Sequence, residues 1–125
     1  MEGIKTGAFE ESTVFGKIDI KGPDNEVSVM KLEELVKSGT GRLILLEREL
    51  YTLGRSTKAD ITLESSELSR KHVLLKREHG SFSITDLDST NGVYLNGTKV
   101  HSAQLYHGDL VQLGDLVFRF REWGP

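Results

Sequence analysis

From Gly41 onward the apolar residues fall in short bursts separated by Gly, Asn, Asp and Ser. Residues 43–48 and 50–53 read as two strands with a tight connection, and residues 59–63 as a short third. Residues 72–77 and 81–87 flank Gly80 as a hairpin-like pair. Residues 93–95 and 98–100 flank Asn96-Gly97, the dipeptide a two-residue type I′ turn favours. Residues 110–113 and 116–121 flank Gly114-Asp115 in the same way. In that last strand Leu116, Phe118 and Phe120 alternate with Val117, Arg119 and Arg121. A period of two sends the first row into a core and the second largely toward water. Many short strands at regular spacing predict an all-β sandwich.

The first 39 residues follow a different pattern. Residues 1–12 are rich in Gly, Glu and polar side chains and sustain neither period. Val14, Phe15, Ile18 and Ile20 predict a short extended segment, and Gly22-Pro23-Asp24-Asn25 a turn or linker. Residues 29–37 read as a short amphipathic helix with Met30, Leu32, Leu35 and Val36 on its apolar face. Ser28 would cap it and Gly39 would stop it. The expected organisation is an N-terminal extension over residues 1–39, partly disordered, and a single β domain over residues 40–122.

Composition narrows the function classes. A chain of 125 residues can bury a genuine core. Its net charge of −3 lacks the basic excess of a nucleic-acid or anionic-membrane surface, so neither partner is expected. With no cysteine, disulfides and thiolate chemistry are excluded. Together with the lack of a recognisable signal peptide, this predicts a cytoplasmic protein. The longest purely apolar run, residues 43–46, is far too short to span a membrane. His72, His79, His101 and His107 lack metal-ligand spacing, so no metal or cofactor is expected. Asn96-Gly97-Thr98 matches a glycosylation sequon but reads as a turn.

Three segments carry the candidate chemistry. They are Leu53-Gly54-Arg55-Ser56, Leu68-Ser69-Arg70-Lys71-His72 and Asp88-Ser89-Thr90-Asn91-Gly92. Each sits at a turn between predicted strands, and together they offer cations, hydroxyls and an amide donor. A guanidinium can donate two parallel hydrogen bonds to phosphate oxygens. The Asn91 amide can pair with the main chain of an extended peptide. Gly54 keeps a side chain away from the approach to Arg55, and Gly92 permits the positive φ of its turn.

In order and spacing, these segments resemble the forkhead-associated (FHA) domain, a phosphothreonine-reading module. The resemblance covers roughly residues 41–121. It implies a β-sandwich of two antiparallel sheets with ligand-binding loops at one end. It also implies that Arg55 and Ser69 bind the phosphate, with Thr90 able to add a bond, that Asn91 holds the peptide backbone, and that His72 is architectural. Of the two cations after Ser69, strand alternation admits one to the site, and Lys71 is preferred over Arg70. Glu67 faces the side of the ligand where the third residue after the phosphothreonine sits in this family. Its charge predicts an aliphatic or basic residue there.

The implied function is a non-catalytic module for phosphorylation-dependent protein–protein interaction in Ser/Thr kinase signalling. Its partner would be a phosphothreonine-containing substrate or the kinase itself. The alternative is a phosphate-independent interaction scaffold on the same fold. Ser69, His72 and Asp86 could be drawn as a hydrolase triad, but no nucleophile elbow accompanies them, and no enzyme is expected. Glu10-Glu11-Ser12-Thr13-Val14-Phe15 resembles the phosphorylatable tail of small bacterial FHA regulators of 2-oxoglutarate and glutamate metabolism. That resemblance makes Thr13 a phosphosite whose tail folds back onto the domain's own site, favoured by a high effective concentration.

Overall fold

The structure, a computed structural model, describes residues 29–123. The strands are β1 (Val29–Val36), β2 (Gly39–Leu45), β3 (Leu50–Gly54), β4 (Ile61–Thr62), β5 (Val73–Glu78) and β6 (Ser81–Asp86). They continue with β7 (Val93–Leu95), β8 (Thr98–Val100), β9 (Ser102–Gln104), β10 (Leu110–Leu113) and β11 (Leu116–Trp123). One sheet has the order β9-β6-β5-β3-β4 and the other β2-β1-β11-β10-β7-β8. The expected sandwich is present, and each predicted strand after residue 41 has its counterpart.

The two inner faces meet in one core. Tyr51, Leu53, Val73, Leu75, Phe82 and Ile84 face Met30, Leu32, Val93, Val111, Leu113, Phe118 and Phe120. Phe118 and Phe120 are fully buried, whereas Val117, Arg119 and Arg121 are only partly so, as the alternation along β11 predicts. Leu63 and Leu68 are also buried in this cluster although both lie in the loop between β4 and β5. Burying each large aliphatic side chain is worth about 1.5–3 kcal/mol, so the loop is anchored at two points rather than free.

Three expectations are corrected. Residues 29–37 are not a helix: Val29–Val36 is β1, paired antiparallel with β2. Met30 and Leu32 alternate as a strand should, but a bulge between Glu33 and Leu35 shifts the phase. One residue inserted into a period of two spaces the apolar positions like those of a helix. Consequently the sheet begins at β1, ahead of the boundary expected at residue 40. Second, the sheets are not purely antiparallel. β3 and β4 run parallel, with Leu53 opposite Ile61 and Gly54 opposite Thr62. The connecting loop folds back along β3 because the Asp60 carboxylate accepts bonds from both the Thr52 amide and its hydroxyl. Those bonds hold the Asp60 carboxyl below its ordinary value, the backbone amide being the largest contribution and the Thr52 hydroxyl the next. Third, β9 was not foreseen. Its residues pair with Ser83, Ile84 and Thr85, and a short polar edge strand has no period of its own to read. The Asn96-Gly97 turn has φ of 50° and 85°, the two positive values a type I′ turn requires. Thr13, the extended segment at 14–20 and the turn at 22–25 lie outside the described residues.

Candidate functional site

The loop from Ser65 to His72 organises the site through four consecutive carbonyls. Glu67 O accepts from Asn91 Nδ2 at 2.7 Å, and Leu68 O accepts from Arg55 Nε at 3.0 Å. Ser69 O accepts from the Arg55 amide and Arg70 O from the Ser56 amide, both at 3.0 Å. One loop thereby sets the positions of the first and third segments as well as its own. The close contact of the first two segments requires glycine. A Cβ on Gly54 would lie 2.1 Å from the Arg70 carbonyl oxygen. The requirement comes from proximity, since Gly54 lies in regular β3 and has no positive φ.

His72 is fully buried and is the one buried polar residue among those described. Its Nδ1 accepts from the Ser69 amide at 3.1 Å, and its Nε2 lies 2.8 Å from the Gly92 carbonyl. The first bond leaves Nδ1 without a proton, so Nε2 carries it and donates to Gly92. The ring therefore links the second segment to the third. The third segment is braced from below: Asp86 Oδ1 accepts from the Ser89 amide, and Ser89 Oγ accepts from the Gly92 amide. Gly92 takes a φ of 82°, open to glycine and strained for other residues. With both ring nitrogens and the Asp86 carboxylate committed to backbone groups, the Ser69–His72–Asp86 triad is not assembled.

The remaining groups converge on a solvent-open cleft of about 290 Å³, lined by Arg55, Glu67, Ser69, Arg70, Thr90 and Asn91 among others. Arg55 uses Nε within the protein, and among the described residues neither terminal nitrogen has a partner. Ser69 Oγ accepts from the Thr90 amide at 3.0 Å, so its own hydroxyl proton remains to be donated. Asn91 commits one N–H to Glu67, which leaves its second N–H and its carbonyl oxygen. Arg70 lines the cleft and Lys71 does not; Lys71 instead lies close enough to Asp60 to stabilise its charge. Of the two cations, the one at the cleft is therefore Arg70, where Lys71 was expected. Strand alternation called for one of the two, and which one depends on how the loop enters β5.

The geometry matches a known family. A model of the FHA domain covers residues 51–114. The chain belongs to the FHA domain family. Among relatives of this FHA domain, the oxoglutarate dehydrogenase inhibitor of Corynebacterium diphtheriae is 40% identical over 93 residues, 73% of this chain and 64% of that protein. The chain thus spans a little under two thirds of that relative's length. The protein of the same name from Corynebacterium jeikeium is 30% identical over 132 residues, covering 93% of this chain and 92% of its own. A chain solved in work on phosphothreonine-dependent FHA domain interactions superposes with a TM-score of 0.68 at 29% identity. That match covers 74% of this chain and 95% of the other. In this FHA domain Arg55, Ser69, Thr90 and Asn91, which the motifs had singled out, line the cleft together with Leu68 and Arg70, which they had not. Arg70 was visible as the neighbour of Lys71, but nothing in the pattern favoured it.

Proposed function

We propose that this chain is a non-catalytic reader of phosphothreonine peptides that mediates phosphorylation-dependent protein–protein interaction in Ser/Thr kinase signalling. One observation carries this. Arg55, Ser69 and Thr90 come from three separate loops and line one open cleft, with donors left over after the loops have fixed each other.

Each part has a chemical role. The terminal nitrogens of Arg55 take two phosphate oxygens, and the Ser69 hydroxyl donates to a phosphate oxygen. The Thr90 hydroxyl adds a further contact. Arg70 supplies the second cation. The free N–H and carbonyl of Asn91 pair with the peptide main chain. Hydrogen bonds to a charged group are worth about 1.5–3 kcal/mol each, so the Arg55 pair alone corresponds to roughly 100-fold or more in affinity. Preference for threonine over serine draws on burial of its methyl group, worth about 0.8 kcal/mol or roughly fourfold. Stronger selectivity needs the methyl to fix the bound rotamer as well.

The partner is inferred to be a phosphothreonine-bearing substrate or a Ser/Thr kinase. Since two relatives are named oxoglutarate dehydrogenase inhibitors, an enzyme of 2-oxoglutarate metabolism is the partner class proposed for the whole protein. The C. jeikeium relative aligns over 93% of this chain and so reaches into the N-terminal extension. Thr13 is proposed, on the likeness of residues 10–15 to the phosphorylatable tail of small FHA regulators, as a regulatory phosphosite whose tail competes for the domain's own cleft. Glu67, exposed beside Asn91, is proposed to favour aliphatic or basic residues at the third position after the phosphothreonine. Among the described residues no helix is long and apolar enough to cross a membrane. A cytoplasmic location remains the proposal.

The test is calorimetric binding of a degenerate phosphothreonine peptide pool, with phosphoserine and unphosphorylated pools as controls. Binding confined to the first pool and lost in Arg55→Ala is expected. Equal binding of the unphosphorylated pool would instead make the domain a phosphate-independent scaffold.

A further inference from the structure

The turn between β10 and β11 lies outside all three motifs, yet it touches the loop that organises the site. Asp115 Oδ1 accepts the hydroxyl of Ser65. Ser65 Oγ in turn accepts the amide of Glu67 at 3.2 Å. The Glu67 carbonyl then accepts Asn91 Nδ2 at 2.7 Å. These bonds form one directed chain from a carboxylate to the side chain assigned to the peptide main chain. The Glu67 amide and carbonyl belong to different peptide groups, so what passes along the series is position. The Asp115 carboxylate fixes the Ser65 hydroxyl, Ser65 fixes the Glu67 backbone, and its carbonyl fixes Asn91. Gly114, in the same turn, packs directly against Glu67. A Cβ there would lie 2.9 Å from Glu67 Cβ and 3.2 Å from its carbonyl oxygen. Only a bare turn lets the Glu67 backbone sit where Asn91 can reach it.

We propose that Asp115 is a positioning residue for the peptide-binding half of the site, acting through Ser65 and Glu67 on Asn91. This rests on the phosphopeptide reading above and adds to it a division of labour. Arg55 is held by the carbonyls of Leu68 and Ser69, with no bond from Asp115. Asp115 thus reaches the peptide grip through a series of bonds of its own, whereas it bears on the phosphate grip only through the shared loop.

Two probes separate the halves: the phosphothreonine peptide pool, and N-acetyl-phosphothreonine amide followed by NMR shift titration. For Asp115→Ala, affinity for the pool should fall about three- to tenfold, the range one net hydrogen bond supplies. Affinity for the amide should stay within about twofold. Asp115→Asn, which keeps an acceptor for Ser65, should restore most of the loss. In a Ser65→Ala background, Asp115→Ala should add nothing further, because both sever the same chain. Unchanged pool affinity in Asp115→Ala would overturn the proposal. So would an equal loss on both probes, which would indicate general loosening of the domain. Wild-type protein that bound neither probe would refute the phosphothreonine reading itself. In that case hydrogen exchange of the Asn91 side-chain amide in the unliganded protein still decides the positioning role. Faster exchange in Asp115→Ala supports it, and an unchanged rate refutes it.

Discussion

Replacing Gly54 by alanine should damage this domain more than any other single added methyl in the site. The new Cβ would lie 2.1 Å from the Arg70 oxygen, 2.7 Å from the Arg70 carbonyl carbon and 2.9 Å from Lys71 Cα. The first of these is roughly 1.4 Å short of van der Waals contact, and all three atoms belong to backbone that cannot rotate away. The peptide between Arg70 and Lys71 must therefore move as a unit. That movement breaks the bonds from the Arg55 amide to Ser69 O, from the Ser56 amide to Arg70 O, and from the His72 amide to Leu53 O. Three net hydrogen bonds at about 1 kcal/mol each, with about 1–2 kcal/mol of residual overpacking, place the loss near 4–5 kcal/mol. In urea unfolding the midpoint should fall by about 2 M or more at unchanged slope. Gly97→Ala is the matched control. It adds a methyl at a φ of 85° with no atom within 4 Å, so only backbone strain of about 1–2 kcal/mol applies. A Gly54→Ala midpoint no lower than that of Gly97→Ala would refute the crowding account. Phosphopeptide binding should fall with it even in protein that remains folded, because Arg55 is displaced.

Three other outcomes follow from the same geometry. His72→Ala strands the buried Ser69 amide and Gly92 carbonyl, each at about 1–3 kcal/mol, and should lower the melting temperature and abolish peptide binding together; full binding in a stable variant would contradict the linking role. Arg70→Ala should weaken phosphopeptide binding about tenfold or more, while Lys71→Ala stays within about twofold; calorimetry that reversed this order would place the second cation at Lys71 after all. The Asp60 carboxyl is held below its ordinary value of 3.8, so its charge stabilises the fold above that value and the contribution is lost as pH falls through the lowered one. The melting-temperature gap between wild type and Asp60→Asn should thus be full at neutral pH and close below about pH 4, and a gap independent of pH would remove the charge from the account.

Much of this protein was legible in its sequence, for a definite reason. Period-two alternation in β11 and the Asn96-Gly97 turn are local properties, and local sterics decide them wherever the chain goes. Arg55, Ser69, Thr90 and Asn91 were visible because phosphate binding would call for those residue types at turns, and the fold brings all four to one cleft. What tertiary structure decided were the matters that depend on a partner strand or loop. The bulge at Glu34 disguised β1 as a helix, since only pairing with β2 shows that a residue has been inserted. The parallel direction of β4 came from Asp60 reaching back to Thr52, and β9 from a polar segment meeting the open edge of β6. The choice of Arg70 over Lys71 waited on the path of a loop pinned by Leu63 and Leu68 in the core. The link from Asp115 to Asn91 joins residues far apart in sequence through bonds that no pattern of types or spacings encodes. Period and turn chemistry are carried by neighbours along the chain, whereas direction, register and reach are set only when distant backbones come within hydrogen-bonding distance.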